Sequence, residues 1–253
     1  MKILHICLEQ PYLDGWTYQE NILPSCHAEL GNDVTVIASK NAFPYYVENK
    51  NGSIYSTKPS KYWIGKVKII RIRRRISLLN RLDIYPELFD TIREEKPDLI
   101  FLHGGQSLSL LVLKRYARKY SNTKLAVDFH AEYYNSARYI FSKLILHRII
   151  WRTIINVSLP YISSIYCISP SVAKMCNELY SIPKIRLQCL YLGTLPNCGL
   201  LQQRFEIRKR IRDELDISED DLLLITGGKL NHDKRLDIIA NSLKKLDNKL
   251  IHL

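Results

Sequence analysis

The chain has 253 residues, of which 46% are hydrophobic, so it is long enough for one large packed domain or two modest ones and too apolar for a disordered protein. Its formal net charge of +12 at pH 7 suits three kinds of partner: nucleic acid, an anionic membrane surface, or a phosphorylated substrate. The charge alone does not choose between these partners.

The N-terminus and the cysteines favour a cytoplasmic protein. No small-residue cleavage site follows the short apolar run at residues 1–8, so we expect no secretory signal. The longest uncharged stretch, residues 153–173, contains Pro160 and Pro170, which argues against a membrane span. Because no two cysteines form a CxxC pair, we expect free thiols in a reducing compartment and no zinc site. The cysteines are Cys7, Cys26, Cys167, Cys176, Cys189 and Cys198.

Short apolar runs recur along most of the chain and are separated by stretches of helical length. Such runs are typical of strands buried on both faces, and their spacing is that of parallel crossovers. The predicted parallel strands are 2–8, 33–38, 98–102, 124–128 and 165–168, with further strands at 67–73 and 187–192. The predicted helices are 16–30, 82–95, 107–120, 136–159 and 171–180, and 41–66 is expected to be a loop or a small excursion.

A second strand–helix series begins after Gly193. Its predicted elements are a linker at 196–199, a helix at 201–215, a strand at 222–226, a helix at 233–246 and a beginning strand at 249–253. We therefore predict an α/β protein with two domains. Residues 1–195 form a Rossmann-like, doubly wound parallel sheet, and residues 196–253 form a linker and the incomplete start of a second Rossmann-like domain.

A basic cluster of Arg71, Arg73, Arg74 and Arg75 stands at the end of the predicted strand 67–73. No aromatic RNA-binding motif and no zinc-finger spacing accompany these arginines. We therefore interpret them as a solvated or membrane-facing strand end, and we expect no nucleic-acid partner.

Ligands of doubly wound sheets bind at the carboxyl ends of the strands, and this rule selects the candidate site residues. Gly15 lies in the loop after the first strand, where its backbone either approaches a phosphate or forms a plain turn. His103 and His130 each follow a central strand, where a histidine can bind a substrate hydroxyl, act in acid–base chemistry or cap a loop. Lys229 and Lys234 flank a strand-to-helix turn, where they either converge on a diphosphate or remain solvated.

The predicted helix 136–159 mixes basic residues with aromatic and aliphatic ones. Its basic residues are Arg138, Lys143, His147, Arg148 and Arg152. Such a helix can lie in a membrane interface, and it can equally pack its apolar face on the sheet. Both interpretations stay open at this point.

The sequence offers no metal-binding motif for sugar transfer. A DxD motif is absent, and the acidic run Glu219-Asp220-Asp221 directly precedes a strand, which is typical of a solvated turn. No nucleophile–base–acid triad is visible either. We therefore predict no metal site and no cofactor.

Seven short segments share their order and spacing with a known family. They are KILHI (2–6), ELGNDVTVI (29–37), KPDLIFLHG (96–104), DFH (128–130), ISPS (168–171), YSIP (180–183) and GKLNHDK (228–234). Together they resemble the retaining glycosyltransferases of family 4, which have the GT-B fold. The last segment is similar to the G-R-L-x-x-x-K turn of that family, and the resemblance covers nearly the whole chain.

The resemblance implies two Rossmann-like domains with the active site between them, the first holding the acceptor and the second the nucleotide sugar. It implies retaining, metal-independent hexosyl transfer to a glycan or lipid-linked acceptor, in the cytoplasm or at the inner face of the membrane. His130 is then the catalytic candidate, which contacts the transferred sugar. Gly15 lies against the donor phosphates, and Lys229 and Lys234 neutralise the diphosphate, whose negative charge grows in the transition state. His103 remains a further substrate-binding candidate.

The sequence also departs from the family pattern. Lys229 replaces the usual arginine and loses its bidentate geometry, and Arg235 stands where glycine is common. The E-x7-E segment of the family, which grips the sugar and ribose of the donor, lies beyond Leu253. Two classes of function stay open. One is a glycosyltransferase that is inactive alone, either truncated or completed by a separate C-terminal chain. The other is a non-catalytic membrane-docking or acceptor-binding half, or a remnant.

Overall fold

The computed structural model describes residues 1–41, 60–78, 81–137, 139–140, 142–193, 201–226, 235–246 and 251–252. The chain forms two compact units, Met1–Thr194 and Leu195–Leu253. The division expected from the sequence, between residues 195 and 196, lies one residue away from this division.

Ten strands occur among the described residues of the first unit. They are β1 (Lys2–Cys7), β2 (Asp33–Ser39), β3 (Lys61–Ile64), β4 (Val67–Ile72), β5 (Ile76–Leu78), β6 (Leu82–Ile84), β7 (Leu99–His103), β8 (Lys124–Phe129), β9 (Ser164–Cys167) and β10 (Leu187–Cys189). Strands β5 and β6 form a small antiparallel hairpin, and the other eight form one sheet in the order β10-β9-β8-β7-β1-β2-β4-β3. Only the edge pair β3–β4 of that sheet is antiparallel. The predicted parallel, Rossmann-like sheet is therefore confirmed.

Helices cover both faces of this sheet, which explains why the central strands are almost continuously apolar. The helices are α1 (Gln19–Glu29), α2 (Leu88–Glu95), α3 (Ser109–Lys119), α4 (Arg152–Ser158) and α5 (Pro170–Tyr180), and a π-helical segment, Ser142–Trp151, runs directly into α4. Leu4 and Ile6 of β1 belong to the larger core, which contains side chains of α2 to α5. Ile3 and Cys7 belong to the smaller core, which contains Ala28 of α1. Alternate residues of β1 thus face opposite layers.

One prediction of local structure was wrong. The segment 82–95 is not one helix, because β6 precedes α2 and pairs with β5. Asp83 of β6 is buried and accepts a hydrogen bond of 3.0 Å from Arg74, a tertiary contact that overrides helical propensity. The segment 41–66, predicted to be a loop or a small excursion, contains the edge strand β3, and residues 42–59 of that segment lie outside the described residues.

The second unit repeats the strand–helix alternation on a smaller scale. Its described elements are α6 (Arg204–Glu214), β11 (Leu222–Leu223), α7 (Leu236–Leu246) and β12 (Ile251–His252). Strands β11 and β12 pair in parallel, as expected for a second Rossmann-like series. The predicted linker 196–199 and both Lys229 and Lys234 lie outside the described residues.

Within the described part of the chain, no helix has the length and apolar character needed to cross a bilayer. The described cysteines are all free, as the sequence predicts. Cys7, Cys167 and Cys176 are buried, whereas Cys189 is exposed.

The turn after β7 requires glycine at two successive positions. Gly104 has a φ of +87°, in the left-handed region that other residues avoid. Gly105 lies directly against a core ring, because a Cβ at this position would come within 2.3 Å of Cζ of Phe129. Phe129 is fully buried, so its ring has little room to move away.

We therefore predict that Gly105→Ala lowers the free energy of unfolding by about 1–3 kcal/mol, the usual cost of overpacking a core. Gly193→Ala is the matched control, because nothing lies within 4 Å of a Cβ at Gly193 and its φ is not in the left-handed region. Urea denaturation of the two variants measures the difference. If Gly105→Ala proves as mild as Gly193→Ala, the close approach to Phe129 is not a constraint.

Candidate functional site

A buried arginine of β4 binds the loop that follows β1. Arg71 of β4 is 2% exposed, and its guanidinium donates to the carbonyl oxygens of Ser39 at 3.0 Å and Tyr12 at 3.3 Å. It also pairs with Asp14 at 2.9 Å. Asp14 directly precedes Gly15, which is exposed and has a φ of +79°. The conformation around Gly15 is therefore fixed by a buried ion pair and by a backbone angle that favours glycine.

This arrangement corrects the interpretation of the basic cluster. Arg71 is not part of a solvated strand end, and Arg74 is paired with the buried Asp83 at 3.0 Å. Arg73 and Arg75 alone are exposed as expected. A sequence pattern does not distinguish these cases, because Asp14 lies 57 residues away from Arg71.

Three histidines form a line across the α1 face of the sheet. His27 Nδ1 on α1 lies 3.0 Å from His5 Nε2 on β1, and His5 Nδ1 lies 3.0 Å from His103 Nε2 on β7. His103 Nδ1 lies 3.0 Å from Asp128 Oδ2 on β8. His5 and His103 are fully buried, whereas His27 is half-buried. The sheet register creates the last contact, because His103 stands directly opposite Asp128.

Asp128 is the negative centre of this arrangement. Its side chain is 1% exposed, and its Oδ1 accepts a hydrogen bond of 2.8 Å from the backbone N–H of Gly104. Burial by itself would raise the pKa of Asp128. The nearby imidazoles of His103 and His130 outweigh that effect and hold the pKa of Asp128 well below its usual range. Asp128 is therefore an ionised carboxylate at neutral pH.

His130 lies at the carboxyl end of β8, where the sequence predicts it, and its side chain is 14% exposed. Its Nε2 lies 3.1 Å from Asp128 Oδ2, and its Nδ1 lies 4.0 Å from Glu20 Oε1 on α1. Burial lowers the pKa of His130, but Asp128 and then Glu20 raise it by more than burial lowers it. The net pKa therefore lies above its ordinary value. His130 thus carries more positive charge at neutral pH than a free imidazole does, at the edge where ligands of such sheets bind.

Glu20, His103 and His130 are also close enough to be considered as a metal site. Among the described residues, their ligand atoms lie within 4.8 Å of one another. Both ring nitrogens of His103 already have hydrogen-bonding partners, Asp128 and His5. A metal ion would have to displace one of these partners, so the residues fit a hydrogen-bonded network better than a metal centre.

A cavity of about 280 Å³ opens beside His130. Its lining is mainly polar, with Glu9 and Gln10 after β1, Gln106 after β7, and Asn135 and Ser136 after β8. The other lining residues are Arg81, Gly104, His130, Ala131, Leu146 and Trp151. Hydrogen-bonding groups from three strand ends therefore converge on one space, as in ligand-binding pockets.

A buried hydrogen-bond network sets the orientation of Gln106 in this cavity. His147 Nε2 lies 3.0 Å from the carbonyl oxygen of Ser136, which can only accept, so Nε2 carries the proton. His147 Nδ1 must then accept from the hydroxyl of Tyr180, which lies 2.6 Å away. Burial lowers the pKa of His147, which favours this neutral ring. The Tyr180 oxygen in turn accepts from Gln106 Nε2 at 2.8 Å, so Gln106 turns its carbonyl oxygen away from Tyr180.

The segment from Ser142 through α4 has two different faces. One face is buried in the larger core through Trp151 and Ile155. The opposite face is apolar and exposed, with exposed fractions of 51% for Ile145 and 60% for Ile149. Arg148 and Arg152 are exposed on the same segment, and the sequence from 142 to 158 contains no acidic residue. The packing predicted for this helix is therefore confirmed for one face, and the other face remains available.

The structure sorts the predicted site residues. Gly15 and His130 lie at the expected strand ends, and their roles remain predictions. His103 is corrected: it is fully buried with partners for both nitrogens, so it supports Asp128 and does not face a substrate. Lys229 and Lys234 lie outside the described residues, so nothing is added about their role. The sequence pattern does not single out five further residues of the site. Glu9 and Gln106 lie in the loops after β1 and β7, His5 is on β1, and Glu20 and His27 are on α1.

Two solved structures share this fold. One is HepE of Anabaena in complex with UDP and glucose, with a TM-score of 0.55, 11% identity, and coverage of 99% of this chain and 59% of that protein. The other is a glycosyltransferase of Rickettsia africae ESF-5, with a TM-score of 0.54, 14% identity, and coverage of 97% and 57%. The chain thus spans 57–59% of the length of these proteins. No curated protein matches the sequence.

A family model provides the assignment that these distant structural likenesses do not. The model described as Glycosyltransferase Family 4 matches residues 25–194, which is more than half of the chain. The matched region contains β2 through β10, with Asp128, His130 and every residue that lines the polar cavity except Glu9 and Gln10. With its Rossmann-like sheet and this matched region, the chain belongs to glycosyltransferase family 4.

Proposed function

We propose that this chain is the acceptor-side part of a cytoplasmic glycosyltransferase, which transfers a hexosyl group from a nucleotide sugar to a glycan or lipid-linked acceptor. The proposed transfer retains the anomeric configuration and needs no metal ion and no cofactor. The observation that carries the proposal is His130, held by the buried Asp128 beside a polar cavity in a family 4 chain.

His130 has the position and charge that such a transfer needs. When the bond to the nucleoside diphosphate breaks, negative charge grows on the leaving phosphate. An imidazolium with a raised pKa can donate a hydrogen bond to an oxygen of the transferred sugar or of this phosphate. We assign donor phosphates to the backbone beside Gly15, and we retain Lys229 and Lys234 as the residues that neutralise the diphosphate.

The cavity beside His130 suits the hydroxyl groups of a sugar acceptor. Burial and then the negative charge of Asp83 raise the pKa of Glu9 to about 8, so at neutral pH this side chain can donate as well as accept a hydrogen bond. Glu9 also acts as an acceptor, because the hydroxyl of Ser107 donates to Glu9 Oε1 at 3.0 Å. Gln106, whose orientation is set by Tyr180, adds a carbonyl acceptor to the same lining.

We further propose that the 253-residue chain transfers no sugar by itself. A two-domain mechanism positions the donor between two walls, and positioning supplies much of the rate. The chain spans under three fifths of the length of its solved relatives, so we assign the remaining donor contacts to further protein, whether in the same or in a separate chain. The alternative is a non-catalytic acceptor-binding half, which would hold an acceptor without any transfer.

The test is a transfer assay of the purified chain with a panel of nucleotide sugars, beginning with UDP sugars because HepE was solved with UDP. We expect no transfer by the chain alone, and we expect transfer when a membrane extract supplies the remaining donor contacts. His130→Ala should lower that transfer by about 100-fold or more, the usual share of a positioned acid–base group. The control is Lys174→Ala on the exposed face of α5, which should change nothing.

Three outcomes would contradict the proposal in different ways. Robust transfer by the chain alone that disappears in Lys234→Ala would show a complete enzyme. Undiminished transfer by His130→Ala would remove His130 from the site. Acceptor binding without transfer in any extract would favour the non-catalytic alternative.

The exposed face of the segment 142–158 supports a second, compatible function, which is docking on an anionic membrane. Apolar side chains such as Ile145 and Ile149 stand beside Arg148 and Arg152, and this pairing of residues is typical of interfacial helices. Docking at the inner face of the membrane would bring a lipid-linked acceptor to the cavity, which Leu146 and Trp151 of the same segment help to line.

We predict that the chain sediments with anionic vesicles and that binding falls as salt rises, because the cations contribute part of the attraction. Ile145→Asn with Ile149→Asn should weaken binding markedly. Ile185→Asn, at a residue that is 91% exposed outside the segment, is the matched control and should bind normally. Equal partitioning to neutral vesicles, or no binding to either kind, would argue against the docking surface.

A further inference from the structure

The hydrogen bonds allow the line of histidines only one direction when each ring carries a single proton. Asp128 is a carboxylate and can only accept, so His103 Nδ1 carries a proton and donates it. A His103 ring that carries only this proton accepts at Nε2, so His5 donates from Nδ1. By the same reasoning His5 accepts at Nε2, and His27 donates from Nδ1. In this direction each ring carries one proton, on Nδ1, which is the less favoured tautomer of a histidine in water.

The surroundings of His5 and His27 support neutral rings. Burial, followed by the neighbouring His103, lowers the pKa of both His5 and His27. His5 lies between Ile3 and Cys7 on a face of β1 that is otherwise apolar, and the ring of Phe101 stacks on it with centroids 5.6 Å apart. Polar rings in such a core lower stability unless each nitrogen has a partner, and here the partners join into one network.

We propose that His27 and His5 are remote positioning residues of the site, which lock the tautomer of His103 so that Asp128 remains the ionised counter-ion of His130. If the line reversed, His103 would turn an unprotonated Nδ1 toward the carboxylate. Two acceptors would then face each other, and Asp128 would have to take up a proton or move. In either case His130 would lose the negative charge 3.1 Å from its Nε2.

The effect of the histidine line on His130 can be distinguished from the effects of the other groups that face His130. The titratable groups that face His130 are Asp128 on β8, His103 on β7, Glu20 on α1 and Cys167 on β9. Glu20 lies 4.0 Å away and does not contact the histidine line through a hydrogen bond that the structure describes. A change at His27 therefore reaches His130 through His103 and Asp128. The inference rests on the proposed function only in that it assigns His130 to the reacting sugar.

Histidine-selective ¹⁵N NMR of the 253-residue chain tests the proposal without donor or acceptor. We expect His5, His27 and His103 to show the Nδ1–H tautomer at neutral pH, and His130 to titrate above the ordinary value near 6.5. An Nε2–H tautomer at His5 or His103 would overturn the proposal. This measurement needs no variant and no activity, so its outcome does not depend on whether the proposed function is correct.

A pair of variants tests the remote effect. His27→Leu removes the first donor of the line. We expect the pKa of His130 to fall by about 0.5 or more, because Asp128 no longer remains its ionised counter-ion. His27→Asn keeps an N–H donor near the position of Nδ1, and we expect it to restore the wild-type titration. A merely structural role would move stability and leave the titration of His130 unchanged in both variants, which would also overturn the proposal.

Discussion

One buried carboxylate constrains the whole carboxyl edge of the sheet. An ion that is 1% exposed is tolerated only when its oxygens are well paired, and Asp128 has the N–H of Gly104 on one oxygen and imidazoles near the other. The turn after β7 must therefore bend toward β8, which needs the glycines at 104 and 105. The histidines of β1, β7 and α1 form the network that pairs this carboxylate. Asp128 in turn raises the pKa of His130, which lines the cavity.

The sequence was sufficient for the sheet and for the edge that carries the site. Apolar runs such as 98–102 and 124–128 are long enough for strands and too continuous for one-sided burial, so they predict parallel pairing. The rule that ligands bind at the carboxyl ends then selects the loops after β1 and β8, in which the structure has Gly15 and His130. These inferences succeed because burial on both faces leaves a local record in composition.

The supporting interactions could not be predicted because they are non-local. The histidine line joins residues that are 22, 98 and 25 positions apart, so no motif or spacing indicates it. For the same reason the sequence suggests that Arg71 belongs to a surface cluster, although it is buried and pairs with Asp14. His103 was expected to bind substrate because it ends a strand, but the register turns it toward Asp128 inside the protein.

The central claim is that Asp128 is an ionised, buried anchor, and the pH dependence of unfolding tests it most directly. Because its folded pKa is depressed, its contribution is present above the unfolded pKa near 3.9 and is lost as pH falls toward the folded value. We predict that Asp128→Asn costs about 3–5 kcal/mol at pH 7 and that the difference from wild type narrows below about pH 4. Asp33→Asn, in an exposed pair with Lys2, should cost no more than about 1 kcal/mol. A small or pH-independent effect of Asp128→Asn would contradict the account.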